Sequence, residues 1–220
     1  MQTLPWIVHE GEDPFERMAR LTGPDAALVV DGGANKGRTV DRLLALYPRA
    51  AVYAYEPLPR LARKLAKRFA AEPRVAVRPV ALGSAPAVLT LNVLESATCS
   101  SLLPPSGILE KHADKPMGLA QAVDVAVARL DAELATAPDV VKLDLQGFEL
   151  EALKGLGELI AGVKAVLCEV SFIPMYQGQP LGPEVIAWME GKGFAVEGLY
   201  APWPGRDGAI VAADALFTRS

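Results

Sequence analysis

ALVVDGGANKGRTVDRLLALYP, residues 27–48, decides how this chain folds. Residues 27–30 are an apolar, strand-like run that ends in Asp31. The chain then turns through Gly32, Gly33, Ala34, Asn35, Lys36 and Gly37. It continues with the period of an amphipathic helix, which puts Val40, Leu43, Leu44 and Tyr47 on one face. A strand, a glycine-rich turn and a helix start bring bare backbone against a ligand. Glycine enters turns closed to other residues, and helix N-termini offer unpaired N–H groups. The next glycine after Gly33 is Gly37, so the dinucleotide fingerprint G-x-G-x-x-G is absent.

The segment AAVYAYEP, residues 50–57, reads as the second strand of a βαβ unit and ends in Glu56. A carboxylate at that strand end can accept hydrogen bonds from two ribose hydroxyls. Nicotinamide-binding sheets use the same device, so Glu56 says ribose and not which cofactor. The plainer reading is a surface acid before a proline turn.

The rest of the chain alternates in the same way. Asp13 and Pro14 open an N-terminal helix in which Phe15, Met18, Ala19 and Leu21 can cover one side of a sheet. Residues 1–24 thus form a helical cap. Residues 74–84 read as a third strand, and about 85–122 as an inserted hairpin and loop. A buried strand at 140–145 is followed by a turn at Gln146 and Gly147 and a helix carrying Leu150, Leu153 and Leu156. A further buried strand spans 163–172, then a helix, then two final strands joined by a loop at 202–208. Strands alternating with helices, with a terminal strand pair, predict one α/β domain over 1–220. Its sheet is doubly wound and mostly parallel, with an antiparallel terminal strand. Such sheets bind ligands at the carboxyl ends of their strands. Asp31, Glu56, Asp144 and Glu169 all fall at or near predicted strand ends.

Composition narrows the class. With 51% apolar residues, 220 positions supply a sizeable core. A net charge of −4 argues against a nucleic-acid partner. The basic run Arg60, Arg63, Lys64, Lys67 and Arg68 reads as a solvated helix face. No run of 18 apolar residues suggests a membrane span, and the first residues lack the pattern of a signal peptide. Two cysteines give no disulfide framework, and the expected location is cytoplasmic.

Six pieces, VVDGGANKGRT, YAYEPLP, VALG, ARLDAEL, VVKLDLQGFELEALKG and LCEVSF, run in that order from about residue 28 to 172. Together they resemble the FkbM-type methyltransferases, and the spacing Asp-x-Gly-x-x-x-Gly at 31–37 resembles the first motif of S-adenosylmethionine-dependent methyltransferases. The resemblance implies a Rossmann-like class I methyltransferase fold with S-adenosyl-L-methionine as donor. It implies a cofactor site at Asp31, Gly33, Asn35, Gly37, Glu56 and Ala81, and an acceptor hydroxyl on a sugar or natural product. Gly32 departs from the pattern, where an apolar residue is usual, and should loosen the strand end slightly.

Methyl transfer needs a nucleophile held in line with the methyl–sulfur bond, and a hydroxyl nucleophile must also lose a proton. Lys142, Asp144 and Glu149 are the catalytic candidates. Lys142 and Asp144 are two apart on a strand and share a face. Each has a plainer reading: Lys142 as a partner for a carboxylate, Glu149 as a helix N-terminal charge. Asp144 and Glu169 are candidate ligands for a divalent metal, whose need the sequence leaves open. Glu169 reads equally as a partner of Lys142. His112 is a further candidate base, and Ser100 and Ser101 are candidates for the acceptor pocket. The expected partner is a small molecule bearing a hydroxyl, with no membrane; a homo-oligomer is left open. Two rival readings are a nicotinamide-dependent oxidoreductase and a non-catalytic S-adenosylmethionine-binding protein.

Overall fold

The computed structural model describes residues 5–112, 116–206 and 208–219. Residues 1–4 of the expected cap and 113–115 of the expected insertion lie outside that set. The chain runs through β1 (Val8–His9), α1 (Pro14–Thr22), β2 (Leu28–Gly32), α2 (Arg38–Leu46), β3 (Ala51–Tyr55), α3 (Pro59–Arg68) and β4 (Val75–Arg78). It continues with β5 (Ala81–Leu82), β6 (Ala87–Leu94), α4 (Leu109–His112), β7 (Leu119–Ala128), α5 (Leu130–Glu133) and β8 (Val140–Leu143). It closes with α6 (Glu149–Lys154), β9 (Ala165–Ser171), α7 (Gly182–Gly191), β10 (Phe194–Pro204) and β11 (Ile210–Arg219).

Eight strands form one sheet in the order β1-β10-β11-β9-β8-β2-β3-β4. Strands β4, β3, β2, β8 and β9 run parallel, and β11 is antiparallel to both β9 and β10. The parallel strands are covered on both faces, which is why β8 reads VVKL with all four residues buried. One face packs under α5, α6 and α7 around Leu153, Leu156 and Met189. The other packs under α1, α2 and α3 around Met18, Leu43 and Leu65. The chain moves outward from β2 to β4 and then returns to place β8 on the other side of β2. The switch point therefore lies between β2 and β8, where such sheets open a crevice for ligands.

Local chemistry explains the ends of these elements. Asp13 caps α1, its Oδ1 accepting from Phe15 N at 2.9 Å, and Phe15 and Met18 are buried. Leu21 instead faces solvent. The strand expected at 74–84 is two strands in two sheets, because Pro79 has no N–H for the ladder. β4 closes the main sheet, whereas β5 joins a second, three-stranded sheet of order β5-β7-β6. Strand β1, not anticipated from the sequence, pairs parallel with β10 at the sheet edge. A Cβ on Gly32 would come within 2.7 Å of Leu143 Cδ2, so this glycine makes room for a core leucine.

The small sheet stands over the carboxyl-end rim. It is held by Leu58, which caps α3, and Leu61 of α3 packing on Leu91, Val93, Val125 and Val127. The excursion from β5 to β7 leaves and returns at one point, where Gly83 N donates to Ala128 O at 3.0 Å. Among the described residues no helix is long and apolar enough to cross a membrane.

Candidate active site

A cavity of about 490 Å³ lies between the β2, β3 and β8 strand ends and the small sheet. That volume suits a small ligand. Its wall includes Gly33, Asn35, Glu56, Ala81, Lys142 and Asp144. Ser100 and Ser101 also line it. The two turns that shape it lock together. Gly33 sits at φ +80°, and a Cβ there would overlap the Asp144 carbonyl oxygen. Gly37, also at φ +80°, caps α2, and a Cβ there would come within 2.6 Å of Leu65 and Phe69. Gly37 and Asp31 stand behind the wall and do not line the cavity.

Glu56 is buried, and each of its oxygens accepts a backbone N–H: Oε2 from Asn35 and Oε1 from Leu58, both at 2.8 Å. Burial pushes its pKa up and the two N–H bonds pull it back. A carboxylate oxygen has more than one acceptor position, so each oxygen keeps capacity for a ligand hydroxyl. Glu56 is therefore not the surface acid of the plainer reading. It ties the β2–α2 turn to the start of α3.

At the other end of the cavity a single cation serves several acids. Lys142 Nζ lies 3.8 Å from Asp31 Oδ1 and 3.7 Å from Asp144 Oδ2. Asp31 faces Lys142 in register on neighbouring strands, is fully buried, and has no hydrogen-bond partner on either oxygen among the described residues. Burial works against the charge on Lys142, but Asp144, Asp31, Asp214 and Glu169 together hold its pKa above the ordinary value. Burial, and then Asp144, push Glu169 well up.

Gln146, which the sequence reading passed over as a turn residue, joins these acids. Its Nε2 donates to Asp144 Oδ1 at 2.8 Å and to Glu169 Oε2 at 3.0 Å. Its Oε1 lies 2.8 Å from the Tyr176 hydroxyl, and its carbonyl accepts from Ser101 Oγ at 2.7 Å. The backbone at Gln146 is left-handed, φ +54°. A side chain with three anchors makes that conformation tenable. Glu149 is buried outside the cavity wall and accepts from Leu145 N at 2.7 Å and Gly147 N at 3.0 Å. It holds the turn that carries Asp144. His112 does not line the cavity. Among the described residues no group of three or more His, Cys, Asp or Glu is arranged to hold a metal ion. Asp144 and Glu169 meet at the Gln146 amide instead. Asp214 was also missed, although a lone acid in an apolar strand is the same signal that singled out Glu169.

The crowded acids set a pH response. Asp31 and Asp214 are each pushed up to about 6 and Glu149 to about 7, chiefly by burial. A raised acid keeps its proton in the folded chain where the unfolded chain has lost it. Stability therefore falls as pH rises through the window from about 4 to about 7. The ligand-free protein should melt at a higher temperature near about pH 5.5 than near about pH 7.5, and Asp31→Asn should flatten that slope. A melting temperature that climbs across the same interval would show that these acids are ionised without penalty.

The chain matches the family model "Methyltransferase FkbM domain" over residues 31–196. It is 28% identical over 214 residues to the protein "Methyltransferase sdnD" of Sordaria araneosa, covering 82% of this chain and 78% of that one. Among solved structures, an FkbM methyltransferase from Methylobacillus flagellatus superposes with a TM-score of 0.55 at 15% identity. That match covers 88% of this chain, which spans 44% of the solved chain. Fibrillarin from Aeropyrum pernix, with natively bound S-adenosyl-L-methionine, superposes at 0.50 with 10% identity over 90% of this chain and 68% of that one. These likenesses mark the fold as that of class I methyltransferases. The strand order, the glycine turn against β8 and the family match agree: the chain belongs to the FkbM methyltransferase domain family.

Proposed function

We propose that this chain transfers a methyl group from S-adenosyl-L-methionine to a hydroxyl of a small molecule, of the sugar or natural-product kind, in the cytoplasm. One observation carries the reading. Glu56, a buried acceptor suited to ribose hydroxyls, and Asp144, a half-exposed carboxylate, line the same cavity. S-adenosyl-L-methionine supplies an electrophilic methyl on a sulfonium when bound. Glu56 would hold the ribose, and the Gly33–Asn35 backbone and Ala81 would line the rest of that end. At the other end Asp144 accepts the proton of the acceptor hydroxyl. Lys142 lies 3.7 Å from its Oδ2, and Gln146 donates to its Oδ1. The small sheet roofs the cavity. The reading asks for no step through a metal.

Mass spectrometry of S-adenosylhomocysteine release against a panel of hydroxyl compounds tests the reaction. Titration with S-adenosylhomocysteine and with NADH tests the cofactor. A heat signal or thermal shift with NADH alone would replace the reading by that of an oxidoreductase. Cofactor binding with no turnover on any acceptor would favour a binding protein. Glu56→Gln keeps the size of the side chain and removes the charge. It should weaken S-adenosylhomocysteine by about 1.5–3 kcal/mol, the range for hydrogen bonds to charged groups. An unchanged dissociation constant would take Glu56 out of the cofactor site.

A further inference from the structure

A second groove of about 620 Å³ adjoins the cavity. Asn35, Lys36, Leu61, Ala97 and Thr98 line both, so the two spaces share a boundary. Arg60, Lys64 and Arg68 also line the groove. They are spaced four apart and form one stripe along α3, with Lys36 contributed by the β2–α2 turn. Arg63 and Lys67, the other cations of the run, do not line it and fit the solvated face expected from the sequence.

The stripe is electrostatically unfavourable by itself. Like charges four apart on a helix repel, and α3 has no acid in its first turn, where Arg60 opposes the helix dipole. Arg68 is paired with Asp41. Among the described residues, the charged ends of Lys36, Arg60 and Lys64 have no ion-pair or hydrogen-bond partner. The acid on the groove wall, Glu95, accepts from Gly118 N at 3.3 Å. Three unpaired cations on one wall, in a chain of net charge −4, form a cradle for a negative group.

We infer that the methyl acceptor carries an anionic group, a phosphate or a carboxylate, which Lys36, Arg60 and Lys64 hold in this groove while its hydroxyl lies in the cavity beside Asp144. The inference rests on the hydroxyl-acceptor reading above and narrows it to anionic hydroxy compounds.

The full-length chain, with and without S-adenosylhomocysteine, is titrated at low ionic strength with inorganic phosphate and, separately, with acetate. The double variant Arg60→Gln/Lys64→Gln is titrated alongside; both positions lie outside the cofactor cavity. One or both anions should bind the wild type and bind the double variant about tenfold or more weakly, as expected when charge-assisted bonds are removed. S-adenosylhomocysteine affinity should stay within about twofold. A response to phosphate alone identifies a phosphorylated acceptor, and one to acetate alone a carboxylated acceptor. In turnover, the double variant should raise KM for an anionic hydroxy compound by about tenfold with kcat little changed. Equal anion affinity in wild type and variant, or none in either, overturns the inference. So would tight binding of an RNA oligonucleotide, lost in the same variant, without any response to either anion. Failure to bind S-adenosylhomocysteine would strike the cofactor reading alone, because the anion titration reads the groove in the ligand-free chain.

Discussion

Asp144→Asn should lower turnover by about 10²-fold or more, the lower part of the range for general acid–base catalysis, while cofactor affinity stays within about tenfold. The expectation follows from the site. Asn preserves the volume and can still accept from Gln146, but it cannot hold the acceptor's proton. Lys142 would keep Asp31, Glu169 and Asp214 as charge partners, so the local field is only partly disturbed. The Asp144 side chain is 44% exposed, so melting should shift by only a few degrees. Comparing kcat with the S-adenosylhomocysteine dissociation constant separates catalysis from binding. Full turnover in this variant would move proton acceptance away from Asp144. His112 does not line the cavity and Lys142 is held in its charged form, which leaves Glu56 as the other carboxylate on the wall among the described residues.

Gly33→Ala should be the most damaging small substitution in the chain. The left-handed backbone at Gly33 costs a non-glycine residue roughly 1–2 kcal/mol. The added methyl also meets the Asp144 carbonyl oxygen, a backbone atom that cannot rotate away. Overpacking of that kind adds about 1–3 kcal/mol. The displaced segment carries Asp144 and Gln146, so cofactor binding and turnover should fall together. Thermal melting with cofactor titration checks both. A variant that melts within a degree of wild type and binds normally would mean that the two turns do not touch in solution.

The parallel sheet was legible because its strands are apolar runs ended by glycine and acid, and its helices carry apolar stripes. The break at Pro79 was written in the sequence too, but the apolar residues on both sides, Val77 and Val80, disguised it as one strand. The two-residue β1 was not legible, since only its edge pairing with β10 makes it a strand. At the site, the two acids at strand ends, Glu56 and Asp144, stood out by position, and both line the cavity. Asp31 stood out equally well and lies behind the wall, because strand periodicity gives a face and not a depth. Gln146 gave no signal of its own. Its three anchors come from Asp144, Glu169 and Tyr176, and such separations in sequence have no periodic trace.

The hydrogen bond that closes the excursion at Gly83 and Ala128 separates two parts of the chain with different tasks. The main sheet carries the cofactor turn and Asp144. The stretch that begins and ends at that bond supplies the roof and the 95–98 edge of the groove. Ends that already meet make a graft thermodynamically cheap: by loop-closure entropy, doubling the length of such a detour costs only about 0.6 kcal/mol. A relative could thus exchange its roof and select a different molecule without rebuilding its chemistry.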